Sequence, residues 1–173
     1  NKAENGNGGA IYNESTNPAT ISGAVFKQNT ANFGGAIFNS SSTMTITDCE
    51  FTGNTSTENG GAILTKQNLT ISGTTFSGNS ATGTIGSAIK VESGTTTITS
   101  ATIPNSTVGS AIHVDADATV IIGGTGTNDK VVIGSASNRV FSGITSYGQL
   151  TINNAEVYTS QDDLKIYGGK TTN

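Results

Sequence analysis

Large apolar residues recur along this chain at fixed intervals, and Thr, Ser, Asn and Gly fill most of the space between them. Ile11, Ile37, Ile63 and Ile89 stand 26 residues apart, and Ile112 follows after 23. Each closes a tetrapeptide, Gly-Gly-Ala-Ile three times and then Gly-Ser-Ala-Ile twice. A second column is Ile21, Ile46, Ile71, Ile98 and Ile152, flanked by the hydroxyl pairs Thr20/Ser22, Thr45/Thr47, Thr70/Ser72 and Thr97/Thr99. Five residues after each of these comes a third column, Phe26, Phe51, Phe76, Ile103 and Val157. Alternation of Ile with Thr is the signature of a strand with one buried face.

Between the second and third columns the step is constant, and its positions can be assigned. Gly23, Asp48, Gly73, Ser100 and Asn154 are turn formers, so the chain bends there. Ala24, Cys49, Thr74, Ala101 and Ala155 are small and fit an inward slot, whereas Val25, Glu50, Thr75, Thr102 and Glu156 point outward. Eight residues after each second-column Ile stand Asn29, Asn54, Asn79, Ser106 and Ser160, which reads as a ladder of turn side chains bonded along the stack. The steps from Phe26 to Ile37, Phe51 to Ile63 and Phe76 to Ile89 are 11, 12 and 13 residues, and unequal steps predict loops.

A unit of 23–26 residues that stacks on itself, with three short strands per coil, predicts an all-β parallel β-helix. The expected hand is right, and about six coils at about 4.8 Å each give a rod on the order of 30 Å long. Residues 1–173 form one such domain. After Ile112 the pattern continues at Ile121, is interrupted by an inserted loop at 123–130, returns at Ile144, Ile152 and Val157, and opens a last partial coil at Ile166. The chain begins mid-pattern at Asn1, as a fragment of a larger surface protein would.

Composition narrows the function classes. Only 12% of residues are charged, the formal net charge is −4, and Arg139 is the single arginine, so the basic stripe that nucleic acid requires is missing. No apolar run reaches the length of a membrane helix. Cys49 stands alone and cannot form an internal disulfide; its place in the small inward slot makes it a structural thiol.

Gly-Gly-Ala-Ile combined with Phe-x-x-Asn, at Phe26–Asn29, Phe51–Asn54 and Phe76–Asn79, resembles the repeats of chlamydial polymorphic outer-membrane proteins. It is similar, more widely, to adhesin-like surface proteins whose passengers are right-handed β-helices. The likeness covers residues 8–112 closely and 140–160 loosely, and it departs at Ile103–Ser106 and Val157–Ser160. It implies an exported, extracellular, autotransporter-passenger-like adhesin at the cell surface.

Candidate chemistry is sparse. A β-helix enzyme acting on carbohydrate, a lyase or glycosidase, needs clustered carboxylates with a basic partner. Asp115 and Asp117 alternate and could share a strand face near Lys90 and His113, and they are also the best candidates for calcium, which takes six to eight oxygens. Asp162 and Asp163 are adjacent, so a strand would point them apart. No catalytic residue, metal site or cofactor is therefore expected. The position after the first-column Ile holds Tyr12, Phe38 and Leu64, then Lys90, His113 and Thr145. If the Ile points in, Tyr12, Phe38 and Leu64 form an exposed ridge, the candidate binding site for a host or neighbouring-cell protein or glycan surface. The leading expectation is a non-enzymatic adhesive or structural module. The alternatives are a filament subunit self-associating through open strand edges, the enzyme already considered, and ice binding by the Thr-x-Thr rows.

Overall fold

The computed structural model of the chain describes residues 1–83, 85–104, 109–134 and 140–166, with the side chains of 140–142 and 159–166 excepted. The described residues form a parallel β-solenoid without helices. The first sheet stacks Ile11–Asn13, Ile37–Asn39, Ile63–Thr65, Ile89–Val91, Ser110–Val114, Val140–Ser146 and Thr159–Ile166. The second stacks Ala19–Ser22, Met44–Thr47, Leu69–Ser72, Gly94–Ile98, Ala118–Ile122 and Gln149–Ile152. Val25–Lys27, Glu50–Thr52, Thr75–Ser77, Thr102–Ile103, Val131–Ile133 and Ala155–Val157 make the third. Early coils also carry a short fourth strand, at Thr30–Phe33, Thr55–Asn59 and Ser80–Ala81.

Pairing is parallel and in register, so like residues lie on like residues. The first column runs Ile11, Ile37, Ile63, Ile89, Ile112, Ile144 and Leu164. From Ile37 to Ile144 it is fully buried. The second column passes through Ile98, Ile122 and Ile152, so Ile122 holds the inward position and Ile121 pairs with Thr97 on the outside. In the last strand Leu164 continues the first column. The shift from Ile121 to Ile122 comes from choosing between adjacent apolar residues, where a one-residue slip changes the face.

The unequal steps are a fourth strand and not simple loops. Thr30 and Ala31 pair with Thr55 and Ser56, but Phe33 pairs with Asn59, so the second coil fits one more residue into a bulge there. The next coil adds another between Ala81 and Ile85, which bridges back to Asn59. The Gly-Gly corner closes this region. Gly60 has φ near +67°, and a Cβ on Gly61 would lie 2.0 Å from the carbonyl oxygen of Ser87 and 2.6 Å from that of Ser80. Backbone packs on backbone there, which only glycine permits. The expected insertion at 123–130 is a loop between Ile122 and Val131, tied by Gly126 N–H donating to the Asp129 carboxylate (2.8 Å).

Two stacks hold the interior. Phe26, Phe51 and Phe76 lie nearly parallel, with centroids 4.7 and 4.9 Å apart, which is the spacing of the strands that carry them. Beside them runs the asparagine ladder. Asn29 donates its backbone and side-chain N–H to Asn54 Oδ1 (3.0 and 2.9 Å), and Asn54 does the same to Asn79 Oδ1 (3.0 and 2.9 Å). The Nδ2 of Asn54 also reaches the Phe26 carbonyl, and that of Asn79 the Phe51 carbonyl, each at 2.9 Å. Ser106 lies outside the described residues, as does the side chain of Ser160. Asp48 and Ser100 take φ values of 52° and 49° at the bends where Gly23 and Gly73 also sit, as the turn reading expects. Cys49 fills its slot, with Sγ 3.2 Å from the Thr47 carbonyl.

Phe51 has a ring above and below it and is fully buried, so its cavity cannot collapse. Phe51→Ala should cost about 3–5 kcal/mol in urea unfolding; a loss below about 1 kcal/mol would remove the ring from the core. Asn54→Leu strips the Phe26 carbonyl and two neighbouring amides of partners and should cost about 1–3 kcal/mol. Wild-type stability for that variant would mean the ladder contributes nothing.

Candidate functional site

The row that follows the first column sits in strands fixed by the buried Ile on either side of it in the stack. Tyr12, Phe38, Leu64, Lys90, His113 and Thr145 are in register, one above another. The expected ridge therefore exists as a row, but it is not an exposed one. Tyr12 is 48% accessible, whereas Phe38 is 5% and Leu64 is fully buried. The cause is mutual cover. The Tyr12 ring meets Phe38 edge-on at 5.3 Å, Lys66 Nζ sits 5.5 Å from the Phe38 centroid, and Leu64 is enclosed between Phe38 and Lys90. Tyr12 remains as the accessible tip, and its hydroxyl donates to Glu14 at 2.5 Å. That bond to a carboxylate holds the phenol pKa above its ordinary value.

Further along the row the chemistry changes from apolar to ionic. Lys90 is buried, and its Nζ pairs with Asp115 Oδ1. His113 Nε2 lies 3.3 Å from the same oxygen, and its ring is 5.5 Å from that of Tyr147. Burial first, and the Lys90 ammonium second, push the His113 pKa down to about 4, against the opposing pull of Asp115. The imidazole is thus neutral near pH 7. Asp115 bridges two side chains from adjacent coils, which makes the group a clasp between turns.

The structure does unite Lys90, His113 and Asp115, but it separates Asp117 from them. Asp115–Asp117 is a turn between Ser110–Val114 and Ala118–Ile122, so the two carboxylates do not share a strand face, and Asp117 is exposed. Among the described residues no three His, Cys, Asp or Glu side chains group as metal ligands. The side chains of Asp162 and Asp163 lie outside the described residues. So does Arg139.

The hydroxyl rows occupy the outer face of the second sheet. Thr20, Thr45, Thr70 and Thr97 form one column, continued by Ile121 and Thr151, and Ser22, Thr47 and Ser72 form the next. Sequence reading missed a second polar ladder inside the first sheet. Asn13 Nδ2 donates to Asn39 Oδ1 (2.7 Å), and Asn39 Nδ2 to Thr65 Oγ1 (3.2 Å), all three residues buried. The signal was available: two residues beyond an inward Ile, a strand points inward again. A shallow cavity of about 300 Å³ between Lys2–Asn5 and Thr30–Asn32 was also not foreseen.

Two segments, residues 23–40 and 48–66, match the Chlamydia polymorphic membrane protein repeat. Each carries a complete Gly-Gly-Ala-Ile tetrapeptide together with a third-column Phe and its ladder Asn, Phe26 with Asn29 and Phe51 with Asn54. The expected resemblance to that repeat therefore holds, on the coils that contain Phe38 and Leu64. No curated protein and no solved structure matches the chain.

His113 makes the fold sensitive to acid. Its folded pKa of about 4 lies below the ordinary 6.5, so the unfolded chain binds the extra proton first as pH falls. Its contribution is complete above pH 6.5 and is lost progressively between 6.5 and about 4, amounting to roughly 2–3 kcal/mol. Melting temperature should fall over that window, and His113→Gln should flatten the fall. An identical pH profile in the variant would exclude His113 as its source.

Proposed function

We propose that this chain is a non-enzymatic adhesive module of an extracellular, microbial cell-surface protein, a rigid spacer that presents a lateral contact face to a host or neighbouring cell. The observation that carries this reading is the contrast along the first sheet. The first-column residues stay Ile from Ile11 to Ile144, whereas the row beside them changes at every coil, is packed shut from Phe38 to His113, and leaves the Tyr12 ring accessible at its end. A rigid repeat scaffold that holds one aromatic ring out to solvent favours a contact at that ring. The match to a membrane-protein repeat favours a place at the cell surface.

Within that row the contact falls on Tyr12, with Phe38 and Leu64 as the buried base that holds it upright. An aromatic ring with an accessible face and a polar tip suits a protein or a glycan surface. Lys90, Asp115 and His113 satisfy one another and are assigned to stability. Carbohydrate chemistry is not assigned to them, because glycoside cleavage uses a pair of carboxyl groups and this group brings one, Asp115, committed to both Lys90 and His113.

The test compares Tyr12→Ser with Val25→Ser, a change at a more exposed apolar residue on the third sheet. Tyr12→Ser should weaken saturable attachment to cultured cells and matrix-coated surfaces, while both variants melt like the parent. Equal attachment by the two variants would remove Tyr12 from the contact. Turnover of a uronate polymer by the parent would sink the non-enzymatic reading.

A further inference from the structure

The outer face of the second sheet differs from the other outward faces in carrying no charge. Its strands contain no Asp, Glu, Lys or Arg and no aromatic residue, and nearly every outward position is Thr or Ser. The third sheet is an internal control. It has the same strand type and register, yet its outward positions include Lys27, Glu50 and Glu156. Strand preference for Thr explains hydroxyls on either face, but it does not explain the exclusion of charge from one of them.

The geometry is that of a grid. Six strands pair without a register shift, and over the first four of them, Thr20, Thr45, Thr70 and Thr97, hydroxyls repeat about 4.8 Å apart across strands and, with Ser22, Thr47 and Ser72, about 6.7 Å apart along them; Ile121 interrupts the column on the fifth strand. Thr20 and Thr70 are exposed, and Thr45 and Thr97 are half-buried against them. Thr is stiff at χ1, so each methyl and hydroxyl is held in place before anything binds. Ser72 Oγ also donates to Thr47 Oγ1 at 3.4 Å, which couples neighbouring rungs.

What such a face can bind follows from what it lacks. Protein contacts concentrate on Trp, Tyr and Arg anchors, sugar rings stack on aromatic side chains, and small molecules need a concave pocket. This face offers none of these. It offers a rigid, uncharged, two-dimensional lattice of hydroxyls alternating with methyl groups. Charged side chains would hold their own hydration shells; Thr leaves its water free to join an external lattice. We infer that the second sheet is an ice-binding face, whose hydroxyls order water into register with a growing ice surface. This site is separate from Tyr12, which lies on the first sheet.

The experiment freezes dilute protein and measures thermal hysteresis, recrystallisation of polycrystalline ice, and partition of the protein into slowly grown ice. The parent should shape ice, inhibit recrystallisation and enter the ice. Thr45→Lys and Thr70→Lys should abolish all three, while Thr75→Lys on the third sheet and Tyr12→Ser should not. Thr70→Val keeps the shape and β-branching and serves as a second variant should a lysine impair folding; thermal melts check each. No ice activity in a folded parent overturns the inference, as does activity that survives Thr45→Lys and Thr70→Lys. Sedimentation showing dimers that Thr70→Lys dissociates, without ice activity, would assign the face to a second copy of the chain instead.

Discussion

The structure depends on one constraint: every coil must lie on a copy of itself. Parallel strands in register place like side chains about 4.8 Å apart, so a residue is admitted to the interior only if it can neighbour its own kind. Ile satisfies this by shape, and Phe26, Phe51 and Phe76 satisfy it by stacking. Polar residues meet a stricter condition, since each must donate in one direction and accept in the other. Asn does so, because its amide carries both a carbonyl and an NH2 group. That is why two separate ladders, through Asn54 and through Asn39, both use it. Where the condition lapses the cost is visible: the hydroxyls of Ser56 and Thr96 are buried without partners.

Self-stacking also sets what a change of chemistry along this row requires. Tyr12, Phe38 and Leu64 lie on one another, and the next coil places a cation, Lys90, on Leu64. A buried ammonium requires a counter-charge, which Asp115 supplies from the turn below the strand that carries His113. The imidazole is held neutral by its burial first and by that ammonium second. Lys90, Asp115 and His113 thus form one unit across two adjacent coils.

Much of the fold was legible because the period is a property of the sequence itself. The three columns, the small slot at Cys49, the bends at Asp48 and Ser100 and the Asn54 ladder all follow from counting positions. An error arose where counting leaves a choice, between Ile121 and Ile122. The candidate site was less legible. Alternation gives the direction of Phe38 and Leu64 but not their exposure, which is set for Phe38 by the Tyr12 ring and the Lys66 side chain and for Leu64 by its place between Phe38 and Lys90. The separation of Asp117 from Asp115 likewise depends on where a strand ends, and a turn at Asp115–Asp117 has no Gly or Pro to announce it.

The corner that holds the fourth strand has a consequence for how such a domain can change. Coils of unequal length still share one register, because the surplus residues are taken up opposite Ala31–Phe33, first between Ser56 and Asn59 and then between Ala81 and Ile85. That corner acts as an expansion joint. Length can be added or removed there while Phe51 and Ile63 keep their seats, so neighbouring coils need not be redesigned together. A peptide grafted at this corner would be displayed on a rigid support, at a height along the rod chosen by the coil that receives it.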